Sequence, residues 1–341
     1  MDGTFASLTE GKRSSIARIH AMLSGEMGPT TSKVQLHYAP GQQWAAWQTL
    51  PQLISGLTLD HNIQAAYAWL AQHWQPGNPL YFFGYSRGGI GVCALAEMVD
   101  RVGLLRPEAA SPENIQRAWL AYRHQSGEEL PLRLRHAHVP IRMVGILDTV
   151  MSLGIRLPFL WAMSEPGFDY SKGRLARNVY QGVHALALDE TRTAFEPILW
   201  ESHHSHQRVE QIWFRGCHAD IGGQLGGHEF ARPLANLPLV WLMTQAAEAG
   251  LPLPHGWHRH HPCDQDAPRL GSWHSWGKAF LMRGPRQAGA LPSEALHPSV
   301  ACPYEGPALL SGHLAPAAKA RRPRLIKIRL PKGDGADPTA A

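Results

Sequence analysis

The sequence has few cysteines, few charged residues and no long apolar run. Its four cysteines are far apart in a chain of 341 residues, which is long enough to fold around a core without disulfides. Charged residues make up only 17% of the chain and hydrophobic residues 44%, which excludes a disordered protein. The apolar stretches at residues 157–163 and 237–243 are far shorter than the roughly 18 residues that a membrane-spanning helix needs. The sequence therefore predicts a globular protein.

The N-terminus lacks the basic region and apolar run of a secretory signal, which predicts a cytoplasmic protein. Signal-independent export through a secretion system is the alternative. The net charge of +5 comes from the last 23 residues, which hold seven Lys or Arg and two Asp, and the rest of the chain is balanced. No basic face for nucleic acid is therefore expected. We predict one folded domain over residues 1–315 and a solvated basic tail over residues 316–341, with peripheral contact to an anionic membrane as the alternative role of the tail.

Short apolar runs alternate with segments of helical periodicity along the chain. Strands are predicted at residues 34–38, 80–83, 141–147 and 209–214, and helices at residues 62–74, 88–100 and 233–248. This alternation is typical of an α/β fold, in which a mainly parallel central sheet is covered by helices on both faces.

One motif between a predicted strand and a predicted helix points to chemistry. Gly84, Ser86 and Gly88 form the pattern G-x-S-x-G, the nucleophile elbow of an α/β-hydrolase. The serine must lie in a strained turn, and side chains two positions to either side would clash with the adjoining strand and helix. The following amide, that of Arg87, would lie at the helix N-terminus, where it can donate to a developing oxyanion. The motif predicts that Ser86 is a nucleophile; a glycine-rich turn without chemistry is the alternative.

A nucleophilic serine needs a base, and the base needs an acid that orients it. Asp148 and Asp220 each follow a predicted strand, so both are expected at the carboxyl edge of the sheet. In this fold the chain order is serine, acid, histidine. If Asp220 is the acid, that order leaves His218 out and favours a later histidine such as His297. Both acids remain candidates on this reasoning.

Seven segments carry a family resemblance, and they occur in the same order as in that family. They are MDGT (1–4), YAPG (38–41), GYSRGG (84–89), LDTVMSLG (147–154), HALALDETRTAFEPILW (184–200), IWFRGCHADIGG (212–223) and HPSV (297–300). In them the chain resembles the α/β-hydrolases of the DUF2235 group, which includes the catalytic domain of Tle1-like type VI secretion phospholipase effectors.

The resemblance implies a catalytic triad of Ser86, Asp220 and His297. Asp148 is the alternative acid, and His218 is expected to form a wall of the site within the Asp220 loop. The resemblance further implies an α/β-hydrolase that cleaves carboxylic esters through an acyl-enzyme intermediate, with lipid or phospholipid esters as substrates. Neither a cofactor nor a metal is expected.

The start of the chain supplies the second part of the expected oxyanion hole. The loop at Gly3 and Thr4 is expected to donate a backbone amide beside that of Arg87. Family members have an apolar strand before this loop, so we expect that the first strand of the fold is missing here and that the true start lies upstream.

Two other function classes are alternatives to the esterase. One is a non-catalytic binding protein that keeps the fold, and the other is a membrane-surface interaction protein that uses the basic tail and the apolar residues 157–163. The His-rich segment at residues 255–266 lacks the paired spacings of a structural zinc site, so a surface loop is predicted there.

Overall fold

The computed structural model describes residues 1–26, 28, 30, 33–42, 57–124, 130–150, 173–201, 204–273, 277, 280–300 and 324–325. The α-helices of this part of the chain are α1 (Ser15–Leu23), α2 (Leu57–His73), α3 (Arg87–Val102), α4 (Pro112–His124), α5 (His218–Gly222) and α6 (Arg232–Glu248). The strands are β1 (Tyr81–Tyr85), β2 (Leu104–Leu105), β3 (Arg135–His136), β4 (Ile141–Leu147), β5 (Val179–Ala187), β6 (Arg208–Phe214), β7 (Glu294–Leu296) and β8 (Arg324–Leu325). Short 3-10 helices lie at Pro107–Ala109, Leu132–Leu134, Thr193–Phe195, Glu229–Ala231 and Trp257–His260.

The central sheet is parallel throughout the described residues. Its strands follow the order β1-β4-β5-β6-β7-β8, and each neighbouring pair is parallel. The short strands β2 and β3 form a separate antiparallel pair. A parallel sheet gathers the carboxyl ends of its strands at one edge, where sheets of this kind place their sites.

Side chains of β4 show that both faces of the sheet are covered. Val144 and Ile146 belong to a core that also contains side chains of α2, α3 and α4. Met143 and Leu147 belong to a second core, shared with α1 and α6. Because successive side chains of a strand point to opposite faces, a strand buried on both sides reads as a continuous apolar run. The predicted α/β fold with helices on both faces is confirmed.

The main differences from the predicted elements concern one strand that is absent and one that was missed. Residues 34–38 are not in a strand; beyond them Ala39 accepts a hydrogen bond from the amide of Asp2, and Gln42 accepts one from Phe5. The longest strand, β5, was not predicted, because polar residues interrupt its apolar pattern. On one side β1 pairs with β4, and on the other its backbone bonds to Met1 through the amide of Tyr85.

Two predicted segments fall largely beyond what the structure describes. The apolar residues 157–163 lie outside the described residues, as does all of the predicted basic tail except β8. That two-residue strand pairs with β7 and so joins the sheet. Among the helices that are described, none combines the length and the apolar character needed to cross a bilayer.

Candidate active site

Ser86 occupies a strained turn between β1 and α3. Its φ is 54° and its ψ is −125°, a conformation that non-glycine residues rarely adopt. A Cβ atom at position 84 would lie 2.6 Å from the Cα of Gly89, and one at position 88 would lie 2.6 Å from the carbonyl oxygen of Asp2. Gly84 is therefore required where β1 approaches α3, and Gly88 where the N-terminal segment passes close to α3.

The ring of His218 lies between Ser86 and Asp148. Its Nε2 is 3.0 Å from Ser86 Oγ, and its Nδ1 is 2.6 Å from Asp148 Oδ2. Because a carboxylate only accepts, Nδ1 carries the proton, which leaves Nε2 to accept from the serine hydroxyl. His218 is the first residue of α5, and its ring packs against those of Tyr85 and Phe195 at centroid distances of 5.0 and 4.9 Å.

Asp148 is fully buried at the end of β4, with a φ of 38°. Its Oδ1 accepts from the amide of Ala187 at 2.9 Å and from Arg286 Nη1 at 2.6 Å, and its Oδ2 accepts from Arg286 Nη2 at 3.1 Å as well as from His218. Burial alone would raise the pKa of Asp148, but the charge of Arg286 and the hydrogen bond from His218 hold it below the usual range. The carboxylate is therefore ionised at neutral pH.

A second buried histidine supports the Asp148 turn. The Nε2 of His184, in β5, accepts a hydrogen bond from the amide of Thr149 at 3.1 Å. Burial lowers the pKa of His184 to about 3, so the ring is neutral and can accept at Nε2. Its contact holds the residue next to Asp148 in place.

The loop at the start of the chain lies directly beside Ser86. A Cβ at Gly3 would be 3.2 Å from that of Ser86 and 2.5 Å from the ring of Tyr85. The Asp2 carboxylate anchors this loop, because it accepts from the hydroxyls of Ser14 and Tyr38.

Some groups of the expected oxyanion hole already donate hydrogen bonds within the protein. The amide of Gly3 donates to Asp2 Oδ1 at 2.7 Å, which corrects the expectation that it faces the substrate. The side chain of Arg87 donates to Thr4 Oγ1 from both Nε and Nη2, at 2.8 and 2.5 Å, and so ties the loop to α3. The amides of Arg87 and Thr4 remain as candidate donors.

Within the described residues, no histidine ring is hydrogen-bonded to Asp220. Its Oδ2 accepts from the amide of Cys217 at 2.8 Å and caps α5, and its Oδ1 accepts from the amide of Leu270 at 2.7 Å. Burial raises the pKa of Asp220, while these backbone donors oppose the shift. The geometry thus contradicts the expected pairing with His297, because both carboxylate oxygens serve loop and helix amides.

The ring of His297 likewise contacts residues other than Ser86 and Asp220. Its ring stacks on that of Phe214 at 4.3 Å, and its Nδ1 bonds to Ser299 Oγ at 2.8 Å. Burial lowers the pKa of His297 to about 4. No hydrogen bond described for this ring reaches Ser86 or Asp220, so the geometry contradicts its expected role as the base.

The sequence predicts His218 as a wall residue of the site and Asp148 as the alternative acid. The order serine, acid, histidine is satisfied by Ser86, Asp148 and His218 as well. That order excludes His218 only if Asp220 is the acid. Arg286 was missed because it lies in an irregular segment without a recognisable motif.

An ion pair borders His218. Glu190 Oε2 accepts from the backbone amide of His218 at 3.2 Å and bonds to Arg192 Nη2 at 2.7 Å. Burial would raise the pKa of Glu190, but the bonds from Arg192 lower it.

Within the described ranges no group of three His, Cys, Asp or Glu side chains could hold a metal ion, and this includes residues 255–266.

A parallel α/β sheet with an elbow serine hydrogen-bonded to a histidine at its carboxyl edge defines an α/β-hydrolase. The family is established by the sequence: the family model described as "T6SS, Phospholipase effector Tle1-like, catalytic domain" matches residues 1–245. The chain belongs to this family of Tle1-like phospholipase effector domains.

Individual relatives are more distant. The chain is 28% identical over 167 residues to the uncharacterized protein YEL023C of Saccharomyces cerevisiae. This alignment covers 44% of this chain and 23% of the yeast protein. A second match is a structure of the Tle1 effector bound to the VgrG spike of the type 6 secretion system. The alignment covers 62% of this chain and 40% of the matched chain, at 18% identity and a TM-score of 0.34. A third match is the structure of an uncharacterized protein from Pseudomonas aeruginosa. The alignment covers 74% of this chain and 35% of the matched chain, at 17% identity and a TM-score of 0.34. The chain thus spans less than half the length of each of these proteins.

Proposed function

We propose that the protein is a serine hydrolase that cleaves carboxylic esters of phospholipids, with Ser86 as nucleophile, His218 as base and Asp148 as the acid that orients the base. The observation that carries this proposal is the pair of hydrogen bonds that link Ser86 Oγ, His218 and Asp148 Oδ2, at 3.0 and 2.6 Å. Membership in the Tle1-like family supports the same class of reaction.

In the proposed reaction, His218 Nε2 takes the hydroxyl proton of Ser86 while Oγ bonds to the ester carbonyl carbon. The carbonyl oxygen becomes an oxyanion, to which the amides of Arg87 and Thr4 donate. When the carbonyl re-forms, the bond to the alcohol oxygen breaks and that oxygen takes the proton from His218. Water, activated by the same histidine, then hydrolyses the acyl-enzyme and restores Ser86. Asp148 stays ionised throughout and stabilises the transient imidazolium.

A fluorophosphonate probe tests whether Ser86 is activated, because such probes react with a serine that has a base beside it. We expect the purified protein to be labelled at Ser86, the Ser86→Ala variant to remain unlabelled, and phospholipid and short-chain ester hydrolysis to disappear with the label. Labelling that persists in Ser86→Ala would contradict the proposal. A folded wild type that is neither labelled nor active on any ester would favour the non-catalytic binding protein instead.

Apolar groups beside the base support a lipid substrate. The ring of Phe195 contacts His218 and also lies 5.2 Å from that of Phe280. Next along the chain, Leu281 is 84% exposed and Met282 is 70% exposed. Large apolar side chains that are this exposed beside a site are suited to contact with an aggregated lipid surface.

The double substitution Leu281→Ser and Met282→Ser should therefore separate lipid surfaces from dissolved esters. We expect hydrolysis of phospholipid vesicles to fall by roughly tenfold or more, because burying each such side chain is worth about 1.5–3 kcal/mol. Hydrolysis of a soluble short-chain ester should stay near the wild-type rate. The matched control is Leu132→Ser, since Leu132 is 65% exposed in the 3-10 helix before β3. Equal losses on both substrates, or an equal loss in the control, would contradict the role of this edge.

A further inference from the structure

Arg286 joins the acid of the proposed triad to two other backbone segments. Its side chain is only 6% exposed. Nη1 donates to Asp148 Oδ1 at 2.6 Å and to the carbonyl of Ala187 at 2.8 Å. Nη2 donates to Asp148 Oδ2 at 3.1 Å and to the carbonyl of Phe195. One guanidinium thus connects the ends of β4 and β5 with the residue whose ring packs on His218.

We propose that Arg286 is a positioning residue of the triad, whose planar guanidinium holds both oxygens of Asp148 and fixes the direction in which that carboxylate meets His218. This inference rests on the proposed function, because it assigns Arg286 a role only if Asp148 orients the base. Arg286 lies outside residues 1–245, the part that the family model matches.

The need for such a residue follows from the burial of Asp148. A fully buried carboxylate is costly unless its charge is paired and both oxygens are bonded. Without Arg286, the amide of Ala187 and the ring of His218 would be its only described partners. Two contacts on different oxygens leave the carboxylate freer to rotate than a bidentate fork does, and only arginine presents that fork.

The charge of Arg286 also bears on proton transfer at His218. Several ionisable or polar groups surround this ring. Beyond Nδ1 lie Asp148 and Arg286, and at the backbone amide of His218 lies Glu190 with its partner Arg192. The others are Tyr85 and Ser86 from the elbow, His184 beside the Asp148 turn, and Cys217 and Asp220 around α5. Among these, Arg286 is the cation that shares the Asp148 carboxylate with His218. Its charge therefore disfavours a second positive charge beside that carboxylate, and its loss should move the acidic limb of the activity profile to higher pH.

The test compares Arg286→Met, which removes charge and fork, with Arg286→Lys, which keeps the charge but not the fork. For Arg286→Met we expect kcat to fall by roughly tenfold to a hundredfold and the acidic limb of the kcat/KM profile to move up by about one pH unit. For Arg286→Lys we expect the acidic limb to stay in place while kcat still falls. Titration of the His218 ring by nitrogen NMR, assigned with His218→Gln, reads the same shift without turnover.

The matched control is Arg283→Met. Arg283 lies three residues earlier and is bonded to Thr191, Ser272 and the carbonyl of Gly277, with no described bond to Asp148. Its loss should lower the melting temperature and leave the acidic limb unmoved.

The outcomes separate this inference from the proposed function. If Ser86→Ala retains activity, the proposed function fails whatever Arg286 does. If turnover depends on Ser86 but Arg286→Met keeps the wild-type kcat and acidic limb, the positioning role is wrong. The same holds if Arg286→Met and Arg283→Met behave alike. Should Arg286→Met fail to fold, a wild-type kcat in Arg286→Lys would overturn the role, and a reduced kcat with an unmoved acidic limb would support it.

Discussion

Replacing His218 with Gln should lower kcat/KM for ester hydrolysis by at least about 10⁴-fold. The ring of His218 is the group hydrogen-bonded to Ser86 Oγ, at 3.0 Å. Without it the serine hydroxyl has no described base to accept its proton, and a neutral hydroxyl is a poor nucleophile. The residual rate should come from oxyanion stabilisation and substrate binding alone.

The matched control is His297→Gln, which removes another largely buried histidine. Its ring stacks on Phe214 and bonds to Ser299, so we expect a small loss of stability and kinetics within a few-fold of the wild type. Steady-state kinetics on a short-chain ester and thermal unfolding of both variants provide the comparison. A large kinetic loss in His297→Gln with turnover retained in His218→Gln would reverse the assignment.

Replacing Asp148 with Asn should lower kcat by about 10³- to 10⁴-fold. The amide group can turn its NH₂ toward His218 and favour the tautomer whose Nε2 carries the proton, so the ring can no longer accept from Ser86. The same substitution leaves the Arg286 cation buried without its carboxylate, which should lower the free energy of unfolding by about 3–5 kcal/mol.

The stability loss can be separated from the catalytic loss by a second substitution. Adding Arg286→Met to Asp148→Asn removes the uncompensated charge, so stability should recover while kcat remains low. Recovery of kcat together with stability would show that Asp148 acts only through folding.

Asp220→Asn is the control for the acid. The backbone amides of Cys217, Leu270 and Gly271 donate to the two carboxylate oxygens, and the single oxygen of an asparagine amide can accept only some of these bonds. The free energy of unfolding should therefore fall by about 1–3 kcal/mol. With α5 still in place, kcat should remain within a few-fold of the wild type. A catalytic loss as large as that of Asp148→Asn, without loss of stability, would restore Asp220 as the acid.

The nucleophile elbow could be predicted from the sequence because its requirements are local. A strand, a turn and a helix within about twenty residues, with glycines on both sides of Ser86, determine the conformation of that serine. The parallel sheet was predictable for a similar reason, since in a buried strand such as β4 the residues from Met143 to Leu147 form a continuous run of apolar residues and glycine. The strand β5 escaped prediction because Gln181 and His184 interrupt its apolar pattern while remaining buried.

The partners of Ser86 depend on contacts between residues that are far apart in the chain. The sequence determined the fold class, the elbow position of Ser86 and two candidate acids, but the order serine, acid, histidine suits more than one set of residues. Only the tertiary structure brings His218 and Asp148 beside Ser86, because α5 begins at His218, the ring of His218 lies between the other two side chains, and Asp220 instead caps the helix. It also brings Arg286, 138 residues after Asp148, to that carboxylate as its counter-charge. A buried carboxylate needs such a partner, and only the folded chain decides which residue reaches it.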